Sequence, residues 1–278
     1  MQYVIGFVIA LFIALTGVGA GTITVPILVL FLAVPAPAAV GIGLMFSAAV
    51  KLILVPAQII RGNVAWRTLG FMLLGGAPGV LIGSLFLKHL VTVGSQNLLN
   101  ASLGVILVGT ASWQIAYSFR PMKHNANTRD HSPLLSWLML PVGVEVGFSS
   151  AGAGALGSAA LLSLTQLIPA QVVGTDIAFG FIVSLIGSGA HWFSWRADTA
   201  LLLQLIAGGI AGAIGGTILS THIPRRPLRL ALWIWLLILG GRFLLNSYQG
   251  SVMPQKQATS QLIGITSNRP AIQTSSQK

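Results

Sequence analysis

The sequence predicts an all-α polytopic membrane protein built from two four-segment repeats, and three observations lead there. First, 54% of the 278 residues are hydrophobic and only 7% are charged, against roughly 25% charged in an ordinary soluble domain. That leaves too few charges to cover a water-facing surface. Second, apolar runs of about 20 residues recur along the chain, the length a helix needs to cross a hydrocarbon core. The alternating ten-residue segments of an outer-membrane barrel are absent. Third, residues 16–84 align with residues 149–217 at a constant offset of 133 without a gap, giving 16 identities in 69 positions.

Seven of those identities pair Gly with Gly, at 19/152, 21/154, 41/174, 75/208, 76/209, 79/212 and 83/216. The two windows hold 11 and 12 glycines, so chance would give 11 × 12 / 69, just under two coincidences. Either the chain is duplicated or glycine does the same geometric job twice.

The elements follow in order. A first apolar arm, about Gln2 to Ala33, is cut by Gly17, Gly19 and Gly21. As one helix it would be about 46 Å long, too long for a core of about 30 Å, and broken at its glycines each piece is too short to cross. Three crossings are predicted next, at about Ala39–Ile60, Thr68–Leu87 and Leu98–Phe119. The polar stretch RPMKHNANTRDHSP (Arg120–Pro133) then separates the halves. A second arm, Leu134 to Ile168, is cut by FSSAGAGALG, and crossings follow at Gln171–Phe193, Ala200–Ser220 and Leu230–Asn246. The tail from Ser247 to Lys278 is rich in Gln, Ser and Thr and is expected to be disordered. The organisation is thus repeat 1–119, cytoplasmic loop 120–133, repeat 134–246 and tail 247–278.

Gly152, Gly154 and Gly157 also spell the G-x-G-x-x-G of a dinucleotide-binding turn, with Asp176 at a suitable distance. That motif needs a strand before it and a soluble βαβ unit around it. Here it lies inside an apolar arm, and its partner stretch at Leu15–Phe31 lacks the third glycine. No cofactor is expected. The chain has no cysteine, so disulfides and thiolate chemistry are excluded. No HExxH, paired carboxylate or Ser-His-Asp spacing points to an enzyme or a metal site.

The net charge of +11 comes from basic residues placed singly or in twos and threes between apolar spans. This is the pattern of topology signals, not of a nucleic-acid patch. If each arm enters and returns as a hairpin, one side collects Arg61, Arg67, Arg120, Lys123, Arg129, Arg225, Arg226 and Arg229, and the other only Lys88 and Arg196. If each arm crosses once, the split falls to six against four. The positive-inside rule therefore favours inverted repeats with both termini outside. The start MQYVIGF has no positive n-region, so the first apolar run is expected to stay in the protein.

The Gly75–Gly83 block and its copy Gly208–Gly216 suit close helix packing. The arm glycines suit something else. Broken backbone at membrane depth is tolerated where protein or a cavity satisfies it, and half-helix N-termini then attract anions. The candidate anion-binding residues are Thr16, Gly17, Gly19, Gly21 and Thr22 in the first arm and Ser149, Ser150, Gly152 and Gly154 in the second.

Lys51, near the middle of its span, is either a substrate ligand or half of a structural ion pair. Glu145 is a proton carrier or a partner of Lys51, and Asp176 an interfacial cap or a proton site. His191, beside Trp192 and Trp195, is read as interfacial, and His124 and His131 as solvated loop residues.

Two copies of a Gly-rich broken arm followed by three helices resemble the TauE/SafE, or sulfite exporter, family of anion permeases. The resemblance rests on G-x-G-x-G-T-I-T-V-P-I-L and V-G-x-G in the first copy, and on S-S-A-G-A-G-x-x-G and V-G-T-D in the second. It covers about Ile5 to Asn246. Its departure is Ala20, where the family pattern has a fuller glycine run. The resemblance implies a multi-pass protein of a bacterial inner membrane that moves sulfite, sulfoacetate, or related organosulfur or carboxylate anions. A coupling proton or other ion is an expected partner, and an oligomer is compatible with the sequence. A non-transporting membrane scaffold and an anion channel are the alternatives.

Overall fold

The computed structural model describes residues 1–16, 20–92, 96–118, 133–151, 153–192, 199–219, 228 and 230–245. Among these the structure is helical and holds no strand. The helices are α1 (Gln2–Thr16), α2 (Ala20–Phe31), α3 (Ala36–Ile60), α4 (Trp66–Thr92) and α5 (Gln96–Ser118), then α6 (Leu134–Ser149), α7 (Ala153–Leu164), α8 (Pro169–Ala190), α9 (Thr199–Leu219) and α10 (Leu230–Leu245).

Local sequence sets several boundaries. Pro37 sits in the first turn of α3 and Pro169 opens α8, positions where the missing N–H has no intrahelical partner to lose. At the end of α3, Gly62 takes φ +68° while Asn63 N–H reaches back to the Gln58 carbonyl at 2.9 Å. That is a glycine-terminated helix end.

Four described helices, α3, α4, α8 and α9, are long and apolar enough to cross a membrane. Six crossings were expected. α5 is 23 residues long, but its most apolar described part is the shorter Ala101–Ala116, and α10 is described over Leu230–Leu245. On α4, Leu74, Leu81, Leu85 and Phe86 point outward, as do Leu203, Ile210, Ile214 and Ile218 on α9. Helices that are apolar on their outer face as well as their inner one suit lipid rather than water.

α3 and α8 pack on each other at the centre, α4 runs along α6, and α1 runs along α9. The glycine blocks make the last two contacts close. A Cβ on Gly75, Gly79 or Gly83 would overlap the carbonyl of Ser136, Leu140 or Val144 in turn. On α9, Gly208, Gly212 and Gly216 meet Tyr3, Phe7 and Leu11 in the same way. Adding 133 to 75, 79 and 83 gives 208, 212 and 216, and subtracting it from 136, 140 and 144 gives 3, 7 and 11. Gly76 against the Phe179 ring and Gly209 against the Phe46 ring are matched by the same shift.

The contact pairs also fix directions. Residue numbers rise together along α4–α6 and α1–α9, so each pair is parallel. They run oppositely along α3–α8, where Ser47 meets Ser184 and Lys51 meets Gly180. α2 folds back along α3 (Val25 at Gly43), and α7 folds back along α8 (Ser158 at Asp176).

The second arm is interrupted: α6 stops at Ser149, Ser150 takes the left-handed φ of 62°, and α7 starts at Ala153. In the first arm α1 is described to Thr16 and α2 from Ala20. Gly17, Gly19 and Gly152 lie outside the described residues, as do most of the 120–133 loop and the tail.

Candidate functional site

On a helix, residues four apart share a face. α3 therefore presents Gly43, Ser47 and Lys51 in one row, and α8 presents Asp176, Gly180 and Ser184 in another. The two rows face each other. Ser184 Oγ hydrogen-bonds Ser47 Oγ at 3.1 Å, and the Lys51 ammonium occupies the space that a Cβ on Gly180 would fill. Adding 133 to 43, 47 and 51 gives 176, 180 and 184, so corresponding positions build both sides of one polar seam.

Each end of the seam receives an arm. At the Gly43 end lies Ser150, whose carbonyl and hydroxyl crowd Gly21 at the start of α2, so the two arms touch there. At the other end, Ser158 of α7 donates to Asp176 Oδ2 at 2.8 Å, and Gly157 leaves room for Oδ1. Lys51 and Asp176 are each only 5% exposed. Asp176 is the carboxylate that acts on the Lys51 ammonium, and burial strengthens that attraction by lowering the local dielectric.

The remaining sequence candidates fall elsewhere or take other tasks. Glu145 lies on the α5 side of α6, where Thr110 Oγ1 meets its Oε1 at 2.6 Å. Ser149 donates to the Glu145 carbonyl at 2.9 Å and accepts the Ala151 N–H, so its hydroxyl supports the helix end. Thr22 and Gly154 are buried, and Thr16 closes α1.

His191, at the C-terminal end of α8, is buried in the protein and bonded to its backbone. It is 5% exposed, and its Nε2 lies 3.0 Å from the Gly147 carbonyl. Where α6 stops, carbonyls of its last turn lose their helical donors; Ser150 N–H takes Val146, while His191 and Ser84 (3.4 Å) take Gly147.

Sequence reasoning missed Ser47, Ser184, Ser158 and the capping task of His191. The four-residue spacing of 43, 47 and 51, repeated at 176, 180 and 184, was legible and could have found the first two. Nothing local marked His191 or Ser158, because their partners lie on other helices.

Ser150 is the most telling residue. Its hydroxyl is buried without a hydrogen-bond partner among the described residues, in a backbone conformation that favours glycine. The left-handed conformation disfavours a side chain by roughly 1–2 kcal/mol, and an unsatisfied buried hydroxyl costs about 1–3 kcal/mol. Ser150→Gly is therefore expected to stabilise the folded protein by about 1–2 kcal/mol while weakening substrate binding. Thermal unfolding and transport assays on the same preparation check both halves.

A bundle of apolar helices around a buried charged seam fits a multi-pass membrane protein, and its likeness to known proteins makes it a membrane transporter. Residues 3–243 match the family described as Sulfite exporter TauE/SafE, and the chain belongs to that family. It is also 26% identical over 205 residues to a Bacillus subtilis (strain 168) protein named Probable membrane transporter protein YjnA, covering 71% of this chain and 81% of the relative. No solved structure matches significantly.

Proposed function

We propose that the protein is a secondary transporter, working as an exporter, for a small anion of the organosulfur or carboxylate type, in a bacterial inner membrane. The observation that carries this is the meeting of the arms at Gly21 and Ser150. There an unpartnered hydroxyl and the start of a half-helix stand at one end of a row leading to Lys51. Helix N-termini each present about half a positive charge, and Lys51 supplies a full one. They line a path of positive charge for a mono- or divalent anion, its two ends at Gly43 and Lys51 about 12 Å apart along α3. The burial of Lys51 suits an occluded form, and access from each side follows from rocking of the two halves.

Purified protein screened by thermal shift against sulfite, sulfoacetate, sulfate, thiosulfate, taurine and short carboxylates is expected to gain stability with at least one. Proteoliposomes should then take up that compound. Absence of both effects across the whole panel rejects the reading.

The same reading makes the halves inverted. α6 and α7 are paired in opposite senses along α4 and α8, as are α1 and α2 along α9 and α3, and this supports two hairpins entering from opposite faces. Single cysteines introduced into the cysteine-free chain test it. The segments Arg61–Arg67, Arg120–Pro133 and Thr221–Arg229 should label from the cytoplasm and both termini from outside. A terminus and the 120–133 loop labelling from the same face would exclude inversion.

A further inference from the structure

The seam holds one ammonium and two claimants for it. Lys51 reaches α8 at Gly180, and Asp176 lies one turn earlier on the same face, so its carboxylate balances the lysine when the site is empty. A substrate anion arriving at Lys51 would meet that carboxylate as a like charge in a dry interior. Two anions and one cation buried together carry an uncompensated charge, which a low-dielectric site tolerates poorly.

We propose that Asp176 is the coupling site of the transporter, taking up one proton for each anion that binds Lys51 and releasing it when the anion leaves. This rests on the anion-transport reading above and adds the coupling ion and its atom. In the empty protein the ionised Asp176 carboxylate, one turn along α8 from where the Lys51 ammonium lies, offsets its charge. Binding transfers a proton from solvent to a carboxylate oxygen of Asp176, and Lys51 then pairs with the anion. No covalent bond to carbon or sulfur changes; proton and anion cross together, and a divalent anion with one proton keeps a net negative charge, which an inside-negative membrane potential drives outward.

The surroundings fit this exchange. Ser158 Oγ sits 2.8 Å from Oδ2 and, as a hydroxyl, can donate to the carboxylate or accept from the acid. Gly157 and Gly180 provide the open space, where any side chain would displace Asp176 or Lys51.

No other ionisable side chain among the described residues facing the pair competes for this role. From α3 the facing group is Lys51 itself. α4 contributes Met72 near Gly157, carries Lys88 and His89 at its far end and, at the end near Thr175, Arg67, which is exposed and stays charged; the described part of α7 has no ionisable residue. Glu145 on α6 is turned to Thr110, and His191 on α8 is held at the Gly147 carbonyl.

The test uses full-length protein in liposomes with trapped pyranine, the voltage clamped by potassium and valinomycin. Labelled sulfoacetate is the probe, because both its acid groups stay ionised between about pH 6 and about pH 8. Wild type should accumulate the probe several-fold when the outside is acidic, with proton uptake that tracks probe entry. In Asp176→Asn the amide mimics the protonated acid. Proton-driven accumulation should vanish, while exchange of labelled for unlabelled probe remains measurable.

Wild-type entry without proton uptake overturns the coupling role whatever the variant does, and leaves the transport reading standing. So does gradient-driven accumulation in folded Asp176→Asn, or its complete loss of exchange. A wild type that exchanges no sulfoacetate at any pH removes the transport reading for this anion and the inference with it.

Discussion

Replacing Lys51 by Met is expected to lower anion transport about 100-fold or more per folded protein. Removing one partner of a buried charged contact costs about 3–5 kcal/mol, and each 1.4 kcal/mol is about tenfold in binding. Met keeps most of the side-chain volume, so packing against Gly180 survives while the charge is lost. The single variant also strands Asp176, 5% exposed, without its cation. Its folded yield should therefore fall.

The double variant Lys51→Met/Asp176→Asn removes the stranded carboxylate and should recover folded protein without recovering transport. Fluorescence-detected gel filtration measures the yield, and uptake normalised to it measures function. Wild-type transport in either variant would exclude Lys51 as the anion ligand.

The second large effect concerns assembly. Gly79→Leu and Gly212→Leu should each abolish monodisperse folded protein. A Cβ at either position would fall on a backbone carbonyl of the neighbouring helix, Leu140 or Phe7, which cannot rotate away as a side chain would. Overpacking a well-filled core typically costs about 1–3 kcal/mol, and a clash with backbone lies at or beyond the upper end. Gly70→Leu and Gly241→Leu are the controls, since nothing lies within 4 Å of a Cβ at either, and both should fold normally. Equal tolerance at all four positions would show that α4–α6 and α1–α9 are not packed at backbone contact.

Much of this was legible in the chain itself because membrane solvent imposes few solutions. With lipid outside, backbone polar groups must be satisfied within each segment, so hydrophobicity and length located the four crossings that α3, α4, α8 and α9 supply. The glycine blocks at 75–83 and 208–216 marked α4 and α9 for close packing, because close backbone approach needs glycine, but did not say that α6 and α1 would be the partners. The break at Ser149–Ser150 was likewise written in a run of helix-weakening residues.

The site itself was only half written there. Lys51 stood out as a charge in an apolar span, but its counter-charge did not. The sequence reading offered Glu145 as the partner of Lys51 and gave Asp176 only a cap or proton role; the antiparallel packing of α3 on α8 instead puts Asp176 one turn from the Lys51 ammonium and leaves Glu145 facing Thr110. Ser149 and Ser150 looked alike as neighbouring hydroxyls. The left-handed turn at 150 gave one to the helix backbone and left the other unsatisfied. Hydrophobic pattern is a property of each segment, so the sequence by itself determined the membrane class, four of the crossings and which helices could pack closely. Which buried polar groups meet depends on distances and rotations between segments, and only the tertiary structure decided those.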